Sequence, residues 1–198
     1  MLSISDIMLA MLDPWFVTGF TDGEGCFALY VRKDRQKRKN SIVTYYRWQV
    51  DFAFTLRGDD IEVLENIRDF FDCGTVSVSK ANNAINKIHN FGLCGYHIVV
   101  PTDLVKKVFP HFEKYPLRSK KRNDFELWKK AVVIIKTAKD RKKSLFDKVV
   151  YTEEENLQLV EILNKLKSRV TGGHLTQKGV DYRLQGEKEV SQTVKIVT

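Results

Sequence analysis

Two carboxylates one residue apart, Asp22 and Glu24, stand among three glycines in the run Val17-Thr18-Gly19-Phe20-Thr21-Asp22-Gly23-Glu24-Gly25. Oxygen ligands of this kind suit a hard divalent cation. Gly19 and Gly23 are four residues apart, so on a helix they share a face and let another backbone come close. The acids then fall at the helix C-terminus, where the macrodipole disfavours anions and a compensating cation is expected. A metal ion is the natural candidate for that charge. A glycine C-cap with two solvated carboxylates is the plainer alternative, and these residues alone leave both open.

The elements around the run follow from its neighbours. Asp13-Pro14 reads as an N-cap with proline at the first helical position, starting a short helix from Trp15 to Asp22 that the glycines end. From Phe27 the period becomes two: Phe27, Leu29 and Val31 share one strand face, and Ala28, Tyr30 and Arg32 the other. A charged turn leads to a longer strand, in which Tyr46, Trp48, Val50, Phe52, Phe54 and Leu56 alternate with Tyr45, Arg47, Gln49, Asp51, Ala53 and Thr55. Asp59 and Glu62 have capping-box spacing before a helix carrying Ile61, Leu64, Ile67 and Phe71. Thr75 to Ser79, a turn at Asn82-Asn83 and Tyr96 to Val100 suggest a hairpin. Helices are expected from Asp103 to Phe109 and from Asp124 to Lys136, joined by a connector from His111 to Arg122. A last helix should run from the Thr152 and Glu155 capping box to about Lys167. The order predicts an α+β protein, with helices grouped on one face of an antiparallel sheet.

The charge is concentrated. The 198 residues carry 33 basic and 25 acidic side chains, a formal net charge of +8. The stretch Arg32 to Lys39 holds six basic residues and one acid, and Arg118 to Arg122 holds four basic residues. These two patches exceed the whole net charge, so the remainder is near neutral and the expected partner is a polyanion. A hydrophobic content of 43% excludes a disordered basic tail, and no apolar run approaches the roughly 18 residues of a membrane span. Cys26, Cys73 and Cys94 are odd in number and lack C-x-x-C spacing, which argues against a disulfide framework or structural zinc and for a reducing compartment. The four histidines share no ligand spacing and receive no role. The start MLSISDIMLAMLD resembles neither a secretory signal nor a transit peptide, so action where the chain is translated is expected.

Taken whole, the string from Val17 to Gly25 resembles the motif of the LAGLIDADG homing endonucleases, L-A-G-(hydrophobic)-x-(D/E)-G-(D/E)-G. Gly19, Phe20, Asp22, Gly23, Glu24 and Gly25 match it, while Val17 and Thr18 replace the opening Leu-Ala. The likeness continues through Asp72-Cys73-Gly74-Thr75-Val76 and Tyr115-Pro116-Leu117-Arg118-Ser119-Lys120-Lys121-Arg122, covering about residues 12 to 167. It implies the α+β fold of that family, with one domain per chain at residues 13–168. An N-terminal extension at 1–12 and a C-terminal tail at 169–198, a short hairpin or disordered, complete the expected layout.

The resemblance also implies a function. A single motif predicts a homodimer with Thr18, Gly19, Asp22 and Gly23 at the interface, cutting a long near-palindromic duplex site in intron homing and leaving short 3′ overhangs. Glu24 is the implied metal-binding carboxylate, helped by the Gly23 carbonyl. Mg²⁺ or Mn²⁺ is the expected cofactor, with Ca²⁺ supporting binding without cleavage. Lys120 falls where the family carries a basic residue near the scissile phosphate, with a phosphate contact of no catalytic part as the alternative. Leu56-Arg57 stand where a polar residue usually ends the second strand and completes the water network, so Arg57 is the implied substitute in that catalytic role. The expected DNA-reading surface comprises Ala28, Tyr30, Arg32, Lys33, Arg35, Lys37, Arg38, Lys39, Arg47, Gln49, Asp51, Thr55, Thr75, Ser77 and Ser79. Arg118, Lys121 and Arg122 are expected on the phosphate backbone. The competing reading is an RNA-binding maturase of the host intron, or a non-cleaving DNA-binding protein on the same scaffold. An organelle or a prokaryotic cytoplasm is the expected location, and no membrane or secretion.

Overall fold

The computed structural model describes residues 12–38, 41–79, 92–144 and 149–167. The expected N-terminal extension, the Asn82-Asn83 turn, Lys39 and the tail lie outside the described residues, apart from Leu12. Helix α1 is Pro14–Glu24. Strands β1, Cys26–Arg38, and β2, Ser41–Arg57, come next, and then helix α2, Ile61–Phe71. Strands β3, Thr75–Ser79, and β4, Leu93–Ile98, precede a helical run α3 made of Pro101–Asp103, a π-helical Leu104–Val108 and Phe109–Lys114. Helices α4, Lys121–Asp140, and α5, Glu153–Lys167, complete the order. The strands form one sheet in the order β1-β2-β4-β3, with β4 antiparallel to both of its neighbours. This is the α+β architecture expected from the sequence.

Two compact units share these elements. The first contains the chain up to Phe27 together with Asp51–Phe125, and the second contains Ala28–Val50 together with the chain from Glu126. The core of the first is aromatic: Phe27 stacks on Phe52, and Phe112 and Phe125 meet Phe27 edge-on or tilted. Each such pair adds about 0.5–1.5 kcal/mol beyond the area it buries. The second unit buries Trp48, Val50, Trp128, Val132, Ile135 and Leu159. Its two indoles are both hydrogen-bonded, Trp128 to the Ala28 carbonyl and Trp48 to Asn156.

The helix ends show which local signals won. Asp13 caps α1 through Oδ1, which accepts from the amides of Trp15 and Phe16. The Thr152 and Glu155 box closes in both directions, at 3.1 and 2.9 Å. The expected box at Asp59 and Glu62 does not form: Arg57 takes both oxygens of Asp59 at 2.6 and 2.7 Å, and a 3₁₀ turn, Gly58–Asp60, leads into α2 instead. The connector predicted from His111 is shorter than expected, because α3 extends to Lys114 and α4 starts at Lys121. Among the described residues no helix is long and apolar enough to cross a membrane.

His111 joins α3 to α1. Its Nε2 lies 3.2 Å from the Thr18 hydroxyl, which itself donates to the Tyr115 carbonyl at 2.9 Å, so the ring is the donor to Thr18. Burial lowers the imidazole from its ordinary 6.5 to about 4. Between those values the unfolded chain binds a proton that the folded chain refuses, so stability rises with pH across that window and falls as the solution is acidified. Urea melts from pH 7 down to pH 4 are expected to lose up to about 3 kcal/mol through this residue. His111→Gln, which does not titrate, should flatten that part of the pH profile.

Candidate functional site

The C-terminal end of α1 and the N-terminal end of α4 exchange opposite charges. Asp22 Oδ2 accepts from the Arg118 amide at 2.8 Å, and its Oδ1 accepts from the Ser119 amide and hydroxyl at 3.3 and 2.6 Å. The Ser119 hydroxyl oxygen also accepts from the Lys121 amide at 3.1 Å, so serine and carboxylate together serve the donors that open α4. In return, the Lys121 ammonium donates to the carbonyls of Thr21, Gly23 and Gly25 at 2.9, 3.3 and 2.6 Å. All three of its N–H donors are used, and it is the cation that the helix C-terminus requires. Desolvation lowers the Lys121 ammonium below the usual lysine range, against the pull of Cys26, Asp22, Glu24 and Asp124.

Gly25 makes the tight exit possible. A Cβ there would lie 2.6 Å from Thr21 Cγ2 and 2.9 Å from the Thr21 carbonyl, so the chain turns into β1 only with glycine. Gly19 and Gly23 differ: a Cβ on either would meet nothing within 4 Å, and both are exposed. Nothing in the packing of the described residues requires them to be glycine, although each costs a helix about 0.5–1 kcal/mol relative to alanine. With Phe16, 46% exposed, they line one open face of α1. Glu24 ends the helix, exposed, and no hydrogen bond holds it among the described residues.

Several expected assignments change. Thr18 turns inward, 2% exposed, because its hydroxyl is committed to His111 and Tyr115, so it is not an interface residue. Asp22, expected at the interface, is engaged within its own chain by the Arg118 and Ser119 amides just ahead of α4. Lys121, expected on the phosphate backbone, is folded onto the end of α1, while Lys120 beside it points to solvent. The phase of α4 carried this signal: Lys121 precedes the buried Phe125, Trp128 and Val132 by 4, 7 and 11 residues, the inward spacing of a helix. Arg57 is engaged fork to fork with Asp59, an arrangement that holds the carboxyl below its usual range and the guanidinium above its own.

Of the expected DNA-reading residues, Arg32, Arg35, Thr55, Thr75, Ser77, Ser79, Arg118 and Arg122 are exposed. Ala28, Tyr30, Lys33 and Arg47 are half-buried, with the Lys33 ammonium 5.3 Å from the Tyr46 ring. Arg118 lies over Trp15. The Lys37 and Arg38 side chains and Lys39 are outside the described residues. Gln49 and Asp51 are corrections: they are 5% and 7% exposed, since β2 is flanked by strands on both sides. Gln49 donates to the Val50 carbonyl, and Asp51 accepts from His97 at 2.8 Å. His97 had no sequence assignment, although strand alternation from the buried Tyr96 places it on the outward face.

Among the described residues no three His, Cys, Asp or Glu side chains converge as a metal cage. The Glu24 carboxylate and the Gly23 carbonyl are oxygen donors of the right kind for a hard divalent ion, but two donors are fewer than such an ion takes.

Three comparisons bear on this geometry. The family model described as LAGLIDADG endonuclease matches residues 17–132. The protein named "Uncharacterized 50.9 kDa protein in ND4 intron 1" of Podospora anserina is 36% identical over 130 residues, 65% of this chain and 25% of that protein. The solved homing endonuclease I-TnaI superposes with a TM-score of 0.62 at 26% identity, over 90% of this chain and 98% of that one. I-SmaMI, solved on an uncleaved DNA target in the presence of calcium ions, gives 0.60 at 26% identity over 79% of this chain and 45% of that one. The chain spans about a quarter of the length of the curated relatives it matches.

Losing the ammonium in Lys121→Met removes three charge-assisted hydrogen bonds and should cost about 1–3 kcal/mol in urea unfolding at pH 7. Lys120→Met, at an exposed position, should stay within about 0.5 kcal/mol of the parent.

Proposed function

The chain belongs to the LAGLIDADG endonuclease family, and on that premise we propose that two copies form a metal-dependent, site-specific double-strand DNA endonuclease. The observation that carries this reading is the open end of α1. An exposed Glu24 stands beside two glycines that the chain's own packing leaves unexplained, next to a lysine held on the last carbonyls. A twofold axis along the Gly19 and Gly23 face accounts for both glycines, because residues this small let two crossing backbones approach closely. It also brings the two Glu24 carboxylates together, which repel each other unless a divalent cation lies between them. The near-complete match to I-TnaI and the match to less than half of the DNA-bound I-SmaMI chain support a unit that works in pairs.

Glu24 and the Gly23 carbonyl of each copy would hold the ion. When bound, a divalent ion such as Mg²⁺ or Mn²⁺ lowers the pKa of water and neutralises charge on the phosphate oxygens. The chain's own residues do the rest. Lys121 is the basic residue of this site in place of Lys120. Its half-buried ammonium keeps the end of α1 in place and adds positive charge where the phosphate arrives. Asp22 fixes the α4 terminus that presents Lys121. The exposed arginines and hydroxyl residues of the strands face the duplex, with phosphate contacts giving affinity and base edges giving sequence preference. A near-palindromic target follows from the twofold symmetry. A relative encoded in an ND4 intron supports an organelle genome as the source.

With a duplex carrying the uninterrupted insertion site, Mg²⁺ should support cleavage and EDTA abolish it, while Ca²⁺ gives a bound, uncut complex. Glu24→Gln should cut at least about 100-fold more slowly and still bind, since even outer partners of metal ligands are worth 10- to 100-fold. Tight binding with no cleavage by the wild type under any divalent ion decides for the maturase or binding-protein reading. Independently, Gly19→Leu should sediment as a folded monomer where the wild type sediments as a dimer.

A further inference from the structure

On the outward face of the sheet, one histidine is held more closely than a solvent-exposed side chain requires. In β4, His97 lies between Ala53 of β2 and Thr75 of β3, and Gly95 lies between Thr55 and Ser77. The His97 Nδ1 is 2.8 Å from Asp51 Oδ2. The ring lies over Gly95, with Nε2 3.0 Å and Cδ2 3.6 Å from the position a Cβ would take, so a side chain at 95 would press on it. The His97 side chain is 42% exposed, and the exposed Thr55 and Ser77 flank the recess above Gly95. The imidazole is thus pinned at Nδ1 by a carboxylate and seated with its Nε2 edge against a glycine, while the side chain as a whole stays half-exposed and no hydrogen bond holds Nε2 among the described residues.

Asp51 is an expensive way to hold a ring. Its side chain is 10% exposed, its Oδ1 is buried without a hydrogen-bond partner, and burial raises its carboxyl above the usual aspartate range despite the opposing contribution of His97. A buried carboxylate on a face that meets a polyanion is electrostatically unfavourable. What it does supply is orientation: an acceptor on Nδ1 fixes the ring plane and leaves Nε2 as the free hydrogen-bonding atom.

We propose that His97, positioned by Asp51 and seated on Gly95, reads a base edge in the major groove beside Thr55 and Ser77. The inference rests on the DNA-binding reading above and adds a specificity-determining residue to it. The neutral ring presents Nε2 as an acceptor for the exocyclic amine of adenine or cytosine, and the protonated ring presents a donor for purine N7. Asp51 acts through His97 and does not itself reach the base. Twofold symmetry places one such reading at each end of the target.

The experiment is selection from a randomised duplex library by the full chain in Ca²⁺, for the wild type, His97→Ala, His97→Gln, Gly95→Ala and Asp51→Asn, with thermal melts to establish folding. The wild type should enrich a symmetric site. His97→Ala and His97→Gln should lose about tenfold discrimination at one symmetry-related pair of positions. Gly95→Ala and Asp51→Asn should relax the same positions, because the first shifts the ring and the second weakens its tether, and neither removes it. Unchanged preferences in a folded His97 variant, or an even loss at every position, overturn the inference while leaving DNA binding intact. Failure of the wild type to enrich any sequence overturns the DNA-reading function together with it.

Discussion

The site depends on a reciprocal exchange between two helix ends. A helix ending in Asp22, Gly23 and Glu24 places negative charge where its own carbonyls are already negative, and such an end frays unless a cation covers it. Lys121 supplies that cation from the first turn of α4, and Asp22 covers the amides that precede the same turn. Each helix end therefore neutralises the other. The exchange fixes the direction in which the chain leaves Gly25 for β1, and it leaves Glu24 as the carboxylate with no structural duty. Burial of the lysine strengthens its bonds to the carbonyls while lowering the ammonium's affinity for its proton.

The open glycine face is the counterpart of this closed junction. Within one chain, α1 uses its inner side fully: Val17, Thr18 and Thr21 are buried, with the two hydroxyls bonded to carbonyls. Its outer side is left with Phe16, Gly19 and Gly23. A helix gains stability from alanine at such positions, so the helical cost of two glycines needs an offset outside the chain. Close approach by a second α1 provides one. In the proposed pair catalysis would be shared, because the described residues of one copy do not gather the oxygen ligands a divalent ion takes.

Much of this was legible in the residues. The period-two runs of β1 and β2, the inward side of α2 and the closed box at Thr152 and Glu155 appear where alternation and spacing place them, since those signals are local. The motif from Gly19 to Gly25 marked the helix end that Lys121 and Asp22 close. What the sequence left hidden were choices between competing partners. Asp59 had helix-capping spacing but found Arg57 two residues away, and a bidentate ion pair outcompeted the cap. Lys120 and Lys121 are equivalent in composition, and only the helical phase set by Phe125 and Trp128 separates them. Gln49 and Asp51 looked outward in a pattern of alternation and Thr18 was placed at an interface by the resemblance alone, yet each had a polar partner or flanking strands that buried it. Side chains are sorted by tertiary context where local period is silent.

Covalent trapping across α1 is the most direct measurement of the central claim, that two copies meet along the face of Gly19 and Gly23. A cysteine at position 19, in a chain whose exposed Cys26 is serine, would face its symmetry mate within the roughly 4.4–6.8 Å between Cα atoms that a disulfide spans. Mild oxidation of Gly19→Cys is predicted to give a disulfide-linked dimer in high yield at low protein concentration, whereas a cysteine at the exposed Gln158 of α5 gives none. A Gly19→Cys protein that folds and stays monomeric under the same oxidation contradicts the paired site.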